Sequence, residues 1–416
     1  MKCLIIGAGP AGLSAAETLR KLSDRLEITV VDGERLLYAR CQLPGVVAGR
    51  LIDDFRPPDF FTRNDIELIA GKRALFLWPD KPQVLLEDGG RLRFQVLLLA
   101  TGARPRKLEI AGEDLRGVFR LNQYRDALHI ARWEAGKAVV FGGGPVGVAL
   151  AEALRDRGIP QVTLVVKASR LLAGQLDEQG AERVAKALSN RKIAMVFGQN
   201  PAQILGNKKV QSVGLEDGRE FPADIVTAAK GVRANVSLAL RAGTGIKVNP
   251  CFETDRKGVF AAGDCTWVRD ALSGETVLPG AWSLAVEQGK RAAQGMFWRL
   301  RHPEGSWQES DLVPYGEPFT KQYAATIAGV PLVAAGLNTY PGEVQVWDAG
   351  RAYRRLVFRG DRLLGAVLMG DIAGAGVYNW LIRKGRELSR REKNALLRGE
   401  VFSLMLSGEP EQFCAK

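Results

Sequence analysis

The chain opens on an unbroken apolar run, MKCLII at 1–6, passes through a turn of small residues, and enters a helix-favouring stretch, LSAAETLRKL at 13–22. Further apolar runs at 26–31 and 66–70 read as strands. Residues 84–87 and 91–94 flank Asp88-Gly89-Gly90 in the pattern of a hairpin. Residues 95–99 (QVLLL) are nearly all apolar, as expected of a strand covered on both faces of a sheet. The opening order then returns, with a strand at 138–141, a helix at 148–157 and a strand at 162–166. Buried strands at 223–229 and 258–262 and a long helix at 281–298 follow, while 54–63 has helical character and 113–136 reads as a connection. Beyond a polar, proline-containing joint at 302–314 the pattern changes. Segments 330–335, 343–347, 354–358 and 363–369 alternate or run apolar like an antiparallel sheet, and helices are predicted at 377–384 and 389–406.

The turns between these elements carry the chemistry. Gly7-Ala8-Gly9-Pro10-Ala11-Gly12 is a GxGxxG turn between strand and helix: Gly7 permits the tight turn, Gly9 lets backbone approach a pyrophosphate, and Gly12 lets the helix pack close to the strand. The helix N-terminus then faces the phosphates. The next strand ends in Asp32, twenty residues after Gly12, near the offset of a carboxylate that hydrogen-bonds a ribose hydroxyl. Gly142-Gly143-Gly144-Pro145-Val146-Gly147 repeats the turn between the strand at 138–141 and the helix at 148–157. Strand, turn and helix supplied twice imply two bound dinucleotides.

At 416 residues the chain is expected to form roughly two to four domains. No apolar run approaches the roughly 18 to 20 residues of a membrane span, and the apolar N-terminus is itself the first strand, so a cytoplasmic protein without membrane insertion is expected. Cys3, Cys41, Cys251, Cys265 and Cys414 form no CxxC pair, which argues against a disulfide framework, a zinc site or a protein-bound iron–sulfur cluster. The net charge of +12 is read either as solubility alone or as a surface for an acidic protein partner; no nucleic-acid motif accompanies it.

Four motifs in order, GAGPAG at 7–12, ATG at 100–102 with Pro105, GGGPVG at 142–147 and AAGD at 261–264, resemble the two-dinucleotide FAD/NAD(P)H flavoproteins of the glutathione-reductase-like superfamily. Within them the chain is most similar to the branch with NADH:rubredoxin reductases, the flavin portion of assimilatory nitrite reductase and NADH oxidase-like proteins; GVPLVAAGL at 329–337 resembles that branch's small C-terminal domain. The resemblance implies an α/β fold of two Rossmann-like domains plus a small C-terminal α+β domain. An FAD domain at 1–112 and 241–310 would be split by an NAD(P) domain at 113–240, and 311–416 would cover the flavin side. It also implies that Gly7, Gly9, Pro10, Ala11 and Gly12 hold the FAD pyrophosphate, Asp32 the adenosine ribose, Asp264 the ribityl and phosphate region, and Gly142, Gly144 and Gly147 the nicotinamide dinucleotide. Ala74, Thr101, Gly102, Gly231 and Gly263 complete the expected cofactor-binding set.

A nicotinamide gives up a hydride, two electrons at once, whereas rubredoxin and iron–sulfur centres accept one; a flavin does both. The expected function is therefore electron transfer between NAD(P)H and an acidic one-electron carrier, rubredoxin, ferredoxin or an iron–sulfur subunit of a larger complex, through FAD. Arg40, where related sequences carry a flavin-proximal residue, would stabilise reduced, anionic flavin. The related sequences' glutamate beyond the second turn is Ala149 here, and Glu152 lies one turn further on. No acid ends the strand at 162–166; Lys167 and Arg170 would suit a 2′-phosphate, so NADH and NADPH both stay open. Cys41 resembles the redox cysteine of the related peroxidases, oxidases and CoA-disulfide reductases; Arg40 and a following helix N-terminus would activate it. A thiol-dependent peroxidase, oxidase or reductase is thus one alternative, and a structural FAD-binding subunit with a decayed nicotinamide site another. Cys265 is expected to be structural. The basic run Arg383, Lys384, Arg386, Arg390, Arg391 and Lys393 is a candidate carrier contact, and the C-terminal domain would serve as a homodimer interface or a docking surface.

Overall fold

A computed structural model describes residues 1–52, 55–239, 245–270, 272–278, 280–307 and 321–401. Two five-stranded, all-parallel sheets are built alike. In the first, the strands run Val259–Ala261, Val96–Leu99, Lys2–Ile6, Glu27–Asp32 and Ile66–Ala70 from edge to edge. In the second, the order is Ile193–Phe197, Gln161–Val166, Lys137–Phe141, Ile225–Ala228 and Val118–Arg120. Both sheets have their glycine turn at the end of the central strand. The apolar runs lack alternation because both faces are covered. Val96 and Leu98 pack into one core layer with Ile5, Val30 and Phe260, and Leu97 and Leu99 pack into the opposite one with Ile6, Val31 and Val259.

The predicted hairpin at 84–94 gains a third antiparallel strand, Ala74–Leu77. The long helix runs Trp282–Arg301 and crosses the helix Pro10–Leu22 so closely that a methyl added at Gly289 would collide with the Ala11 carbonyl. The region 113–136 is more than a connection. It supplies the strand Val118–Arg120 and the helix Tyr124–Arg132, whose start is closed by a reciprocal Gln123–Asp126 capping box. Of the helical character expected at 54–63, only Phe60–Arg63 is helical, and 53–54 lie outside the described residues.

The C-terminal part is an antiparallel sheet ordered Gln322–Ile327, Val330–Gly336, Arg362–Met369, Tyr353–Arg359, Glu343–Asp348. One face, with Leu332, Ala334, Tyr353, Val367 and Met369, shares a core with the second parallel sheet unit; the other, with Val333, Leu356, Phe358 and Leu368, is covered by the helices Ala375–Lys384 and Arg390–Arg398. The helix Arg390–Arg398 is closed by Gly399 in the left-handed conformation, so the helix expected at 389–406 is interrupted there; Cys414 and 402–406 lie outside the described residues.

Candidate functional site: two dinucleotide cradles

The two glycine turns have nearly the same geometry. Gly7 and Gly142 sit at φ +114° and +115°, where side chains are strained, and each amide donates to the end of the neighbouring strand, to Val31 O at 2.8 Å and Val165 O at 2.9 Å. A methyl at Gly12 or Gly147 would drive into the carbonyl of Gly7 or Gly142. Gly9 and Gly144, the N-caps of the helices Pro10–Leu22 and Pro145–Asp156, are different. A methyl there meets nothing within 4 Å, no side chain caps either helix, and neither first turn holds an acid. Each turn therefore leaves an open cradle lined by the uncapped first N–H groups of a helix, the form that a pyrophosphate fills.

At the first cradle, Asp32 accepts the Ala8 amide at 2.7 Å on Oδ2 and the Glu34 amide at 2.8 Å on Oδ1. Each oxygen keeps a second lone pair for a ribose hydroxyl. Ala74 begins its strand two residues beyond Lys72, whose amide donates to Asp32 O at 3.0 Å, so it belongs to this end of the cradle. Gly263 lies opposite the helix start, where a methyl would meet Ala11 Cβ at 3.2 Å, and its amide donates to the fully buried Gln288 at 2.7 Å. Next to it, Asp264 accepts the Gly280 amide at 3.1 Å. Burial raises the Asp264 carboxyl above its ordinary value, opposed by that hydrogen bond and by the charges of Arg40 and Lys321.

Arg40 is in a one-turn helix, Arg40–Gln42, with its guanidinium 3.7 Å from Glu34 and 3.5 Å from Asn122 Oδ1; a methyl at Gly102 would stand 3.8 Å from Arg40 Nη1. The structure thus brings Arg40, Gly102 and Asp264 together at the carboxyl edge of the first sheet. Thr101 is engaged elsewhere. Its hydroxyl donates to Asn235 O at 2.6 Å, and Asn235 returns its amide to Thr101 O at 3.2 Å. This pair pins the crossover in which Val232–Ala234 pairs with Ala103–Pro105.

Several of the expected residues have surroundings of their own. The Cys41 thiol is exposed, but partial burial raises its pKa, opposed only by a backbone hydrogen bond; the Arg40 guanidinium is turned to Glu34 and Asn122, and the helix after it, Leu43–Val47, is five residues long. Arg170 donates to Leu176 O at 3.1 Å and Ala173 O at 3.4 Å, closing its own loop with two of its five N–H donors. Glu152 accepts the Ala328 amide at 2.6 Å and faces Arg191 at 3.2 Å, tying the second glycine helix to the C-terminal sheet. Within the basic run, Arg383 pairs with Glu287 at 2.7 Å, Arg386 with Glu392 at 2.7 Å and the buried Lys393 with Asp361 at 3.0 Å, while Lys384, Arg386, Arg390 and Arg391 are exposed. Cys265 is fully buried against Leu99 O and Ala262 O, each at 3.3 Å, a packing position.

At the second cradle, Lys167 is exposed beyond the strand Gln161–Val166. Gly231 receives the Arg106 amide at 3.0 Å on its carbonyl, and a methyl on it would point into open space. Sequence reasoning missed the residue between Gly231 and the sheet. Lys230 is half-buried and donates to Asn200 Oδ1 at 2.5 Å. Its signal was the duplication itself: Ala229-Lys230-Gly231 stands in the second unit where Ala100-Thr101-Gly102 stands in the first.

Two parallel sheets with glycine cradles at their central strands define an oxidoreductase fold that handles two dinucleotides. The chain belongs to the pyridine nucleotide-disulphide oxidoreductase family, whose profile matches residues 1–289. It is therefore an NAD(P)H-dependent flavoenzyme with FAD and NAD(P)H as cofactors. It is 33% identical to NADH oxidase of Methanocaldococcus jannaschii over 315 residues, 71% of this chain and 70% of the relative. It is 27% identical to NADH-rubredoxin oxidoreductase of Clostridium acetobutylicum over 89% of this chain and 92% of that one. The solved complex of putidaredoxin reductase with putidaredoxin shares the fold at a TM-score of 0.83 and 23% identity, covering 98% of this chain and 99% of the other. Two further curated relatives, matched over 98% and 95% of this chain, are longer proteins of which it spans 53% and 48%. Among the described residues no helix is long and apolar enough to cross a membrane.

Proposed function

We propose that the chain passes electrons between NAD(P)H and a separate one-electron carrier protein. The observation that carries this reading is the pair of matching open cradles, at Gly9 and Gly144, in one chain. The first cradle, with Asp32 and Asp264, holds FAD, and the second holds the nicotinamide dinucleotide. Bound flavin supplies the exchange between two-electron hydride chemistry and one-electron transfer. The chain's own groups bind and orient. The helix starting at Pro10 offers its N–H groups to one pyrophosphate, the helix starting at Pro145 to the other, and Asp32 takes a ribose hydroxyl. Arg40, half-exposed beside Gly102 and Asp264, supplies positive charge where the flavin gains negative charge on reduction. The NADH-rubredoxin oxidoreductase relative, similar along most of both chains, supports a small electron carrier as partner. The net charge of +12 favours an acidic one. In this reading 1–112 and 241–310 form the FAD domain, 113–240 the NAD(P) domain and 311–416 the C-terminal domain.

The thiol route through Cys41 is the weaker reading, because partial burial raises the thiol's pKa and the neighbouring Arg40 is turned to Glu34 and Asn122. The two separate in one experiment. FAD-loaded chain reduced by NAD(P)H is mixed without oxygen with oxidised rubredoxin or ferredoxin, for the parent and for Cys41→Ser. Reduction of a carrier by both proteins, slowed by salt, supports carrier transfer. Disulfide or peroxide turnover lost in Cys41→Ser, with no carrier reduced, overturns it.

A further inference from the structure

The second cradle contains a pair of cations that the family's glycine turn does not require. Lys230 leaves the strand Ile225–Ala228 on one side of the central strand Lys137–Phe141, yet its ammonium ends on Asn200, beyond Ile193–Phe197 on the other side. Residue 230 and residues 198–200 therefore meet over the carboxyl edge of the sheet, joined by the Lys230 side chain. Asn200 is set next to Lys167 by the backbone: the Gln199 amide donates to Val166 O at 3.2 Å and the Gly198 amide to Ala168 O at 3.3 Å. Two lysines from different strands thus converge at the end of Gln161–Val166, where the first cradle has Asp32.

No carboxylate pairs with either lysine among the described residues. The nearest acid is the exposed Glu216, which is held by Asn200 Nδ2 at 3.2 Å. Burial, and then the charge of Lys167, push the Lys230 ammonium below its ordinary value, with Glu216 opposing. Two like charges held together with so little compensation gain most from a dianion placed between them. A ribose diol offers hydroxyls that would leave both ammoniums without an anion.

We propose that Lys230 and Lys167 together hold the 2′-phosphate of an adenosine ribose in the second cradle, making the enzyme prefer NADPH to NADH. This rests on the reading that the Gly142–Gly147 turn holds the nicotinamide dinucleotide. Lys230 is a specificity-determining residue here; it touches no reacting atom.

The test is calorimetric titration of the FAD-loaded chain with 2′,5′-ADP and with ADP, for the parent and for Lys230→Met, which keeps the aliphatic stem. Lys167→Met, at an exposed position, is the second variant should Lys230→Met fold poorly. The parent is expected to bind 2′,5′-ADP at least about tenfold more tightly than ADP, and each variant to lose that margin, about 1.4 kcal/mol for each tenfold. Lys230→Arg is expected to keep it. Equal parent affinities overturn the proposal, as does an equal loss for both ligands in Lys230→Met, which would place the ammonium on the pyrophosphate. Binding of neither ligand nor NADH by the parent overturns the underlying reading of the cradle instead.

Discussion

Gly144→Ala and Gly147→Ala, three residues apart, separate binding from folding. Gly144 has φ −83° and ψ −177°, extended backbone that alanine adopts freely, and a methyl there meets nothing within 4 Å. The folded protein should be unchanged or stabilised by about 0.4–1 kcal/mol, through a stiffer unfolded chain. The methyl fills the space above the helix N-terminus, and a phosphate pushed outward loses one charge-assisted hydrogen bond of about 1.5–3 kcal/mol. At about 1.4 kcal/mol per tenfold, the Kd for NAD(P)H should rise about ten- to a hundredfold. A methyl at Gly147 would stand 1.7 Å from Gly142 O, against a contact limit of 3.0 Å, so the helix Pro145–Asp156 must withdraw by about 1.3 Å from the strand end. Overpacking of this kind costs about 1–3 kcal/mol, which lowers Tm by several degrees in a domain of about 150–250 residues. Circular-dichroism melts and nucleotide titration read both effects. Wild-type nucleotide affinity in Gly144→Ala, or a Gly144→Ala protein that melts lower than Gly147→Ala, would refute the reasoning.

Three further outcomes follow from named contacts. Glu253→Ala leaves the Arg299 guanidinium buried without its carboxylate, which it meets at 2.7 Å with side-chain exposures of only 6% and 4%, and should destabilise by about 3–5 kcal/mol in a thermal melt. Glu152→Ala strands the Ala328 amide and should loosen the C-terminal sheet by about 1–3 kcal/mol, read as faster hydrogen exchange at 323–328. Cys41 should alkylate slowly at neutral pH. Because its thiol is raised, its thiolate fraction and rate should reach half their maximum at a pH above that of an ordinary cysteine, with Cys41→Ser as the blank; a profile shifted to lower pH would mean an activating cation.

The sequence showed most clearly what is buried on both faces or repeated. The runs at 1–6, 95–99 and 138–141 have no alternation to misread, and two GxGxxG turns leave few folds open. The strands and helix between 178 and 215 escaped because amphipathic Glu178–Asn190 and the hairpin of Pro201–Asn207 and Lys209–Leu215, buried on one side only, carry weaker patterns. Side-chain direction was less legible still. Arg170 and Lys393 look like free cations in the sequence, yet one closes its own loop and the other is buried on Gly360 O and Asp361. Lys230 stood just past the strand read at 223–229, and only its hydrogen bond to Asn200 puts it beside the end of Gln161–Val166.

Hydride entry into this chain is decided by anaerobic rapid mixing of the FAD-loaded protein with NADH and with NADPH while the flavin's visible absorbance is followed. Bleaching by at least one nucleotide, faster with NADPH and slowed in Gly144→Ala, is the expected result. Tightly bound flavin that stays oxidised with both nucleotides would contradict an electron-transferring reductase built on the two cradles.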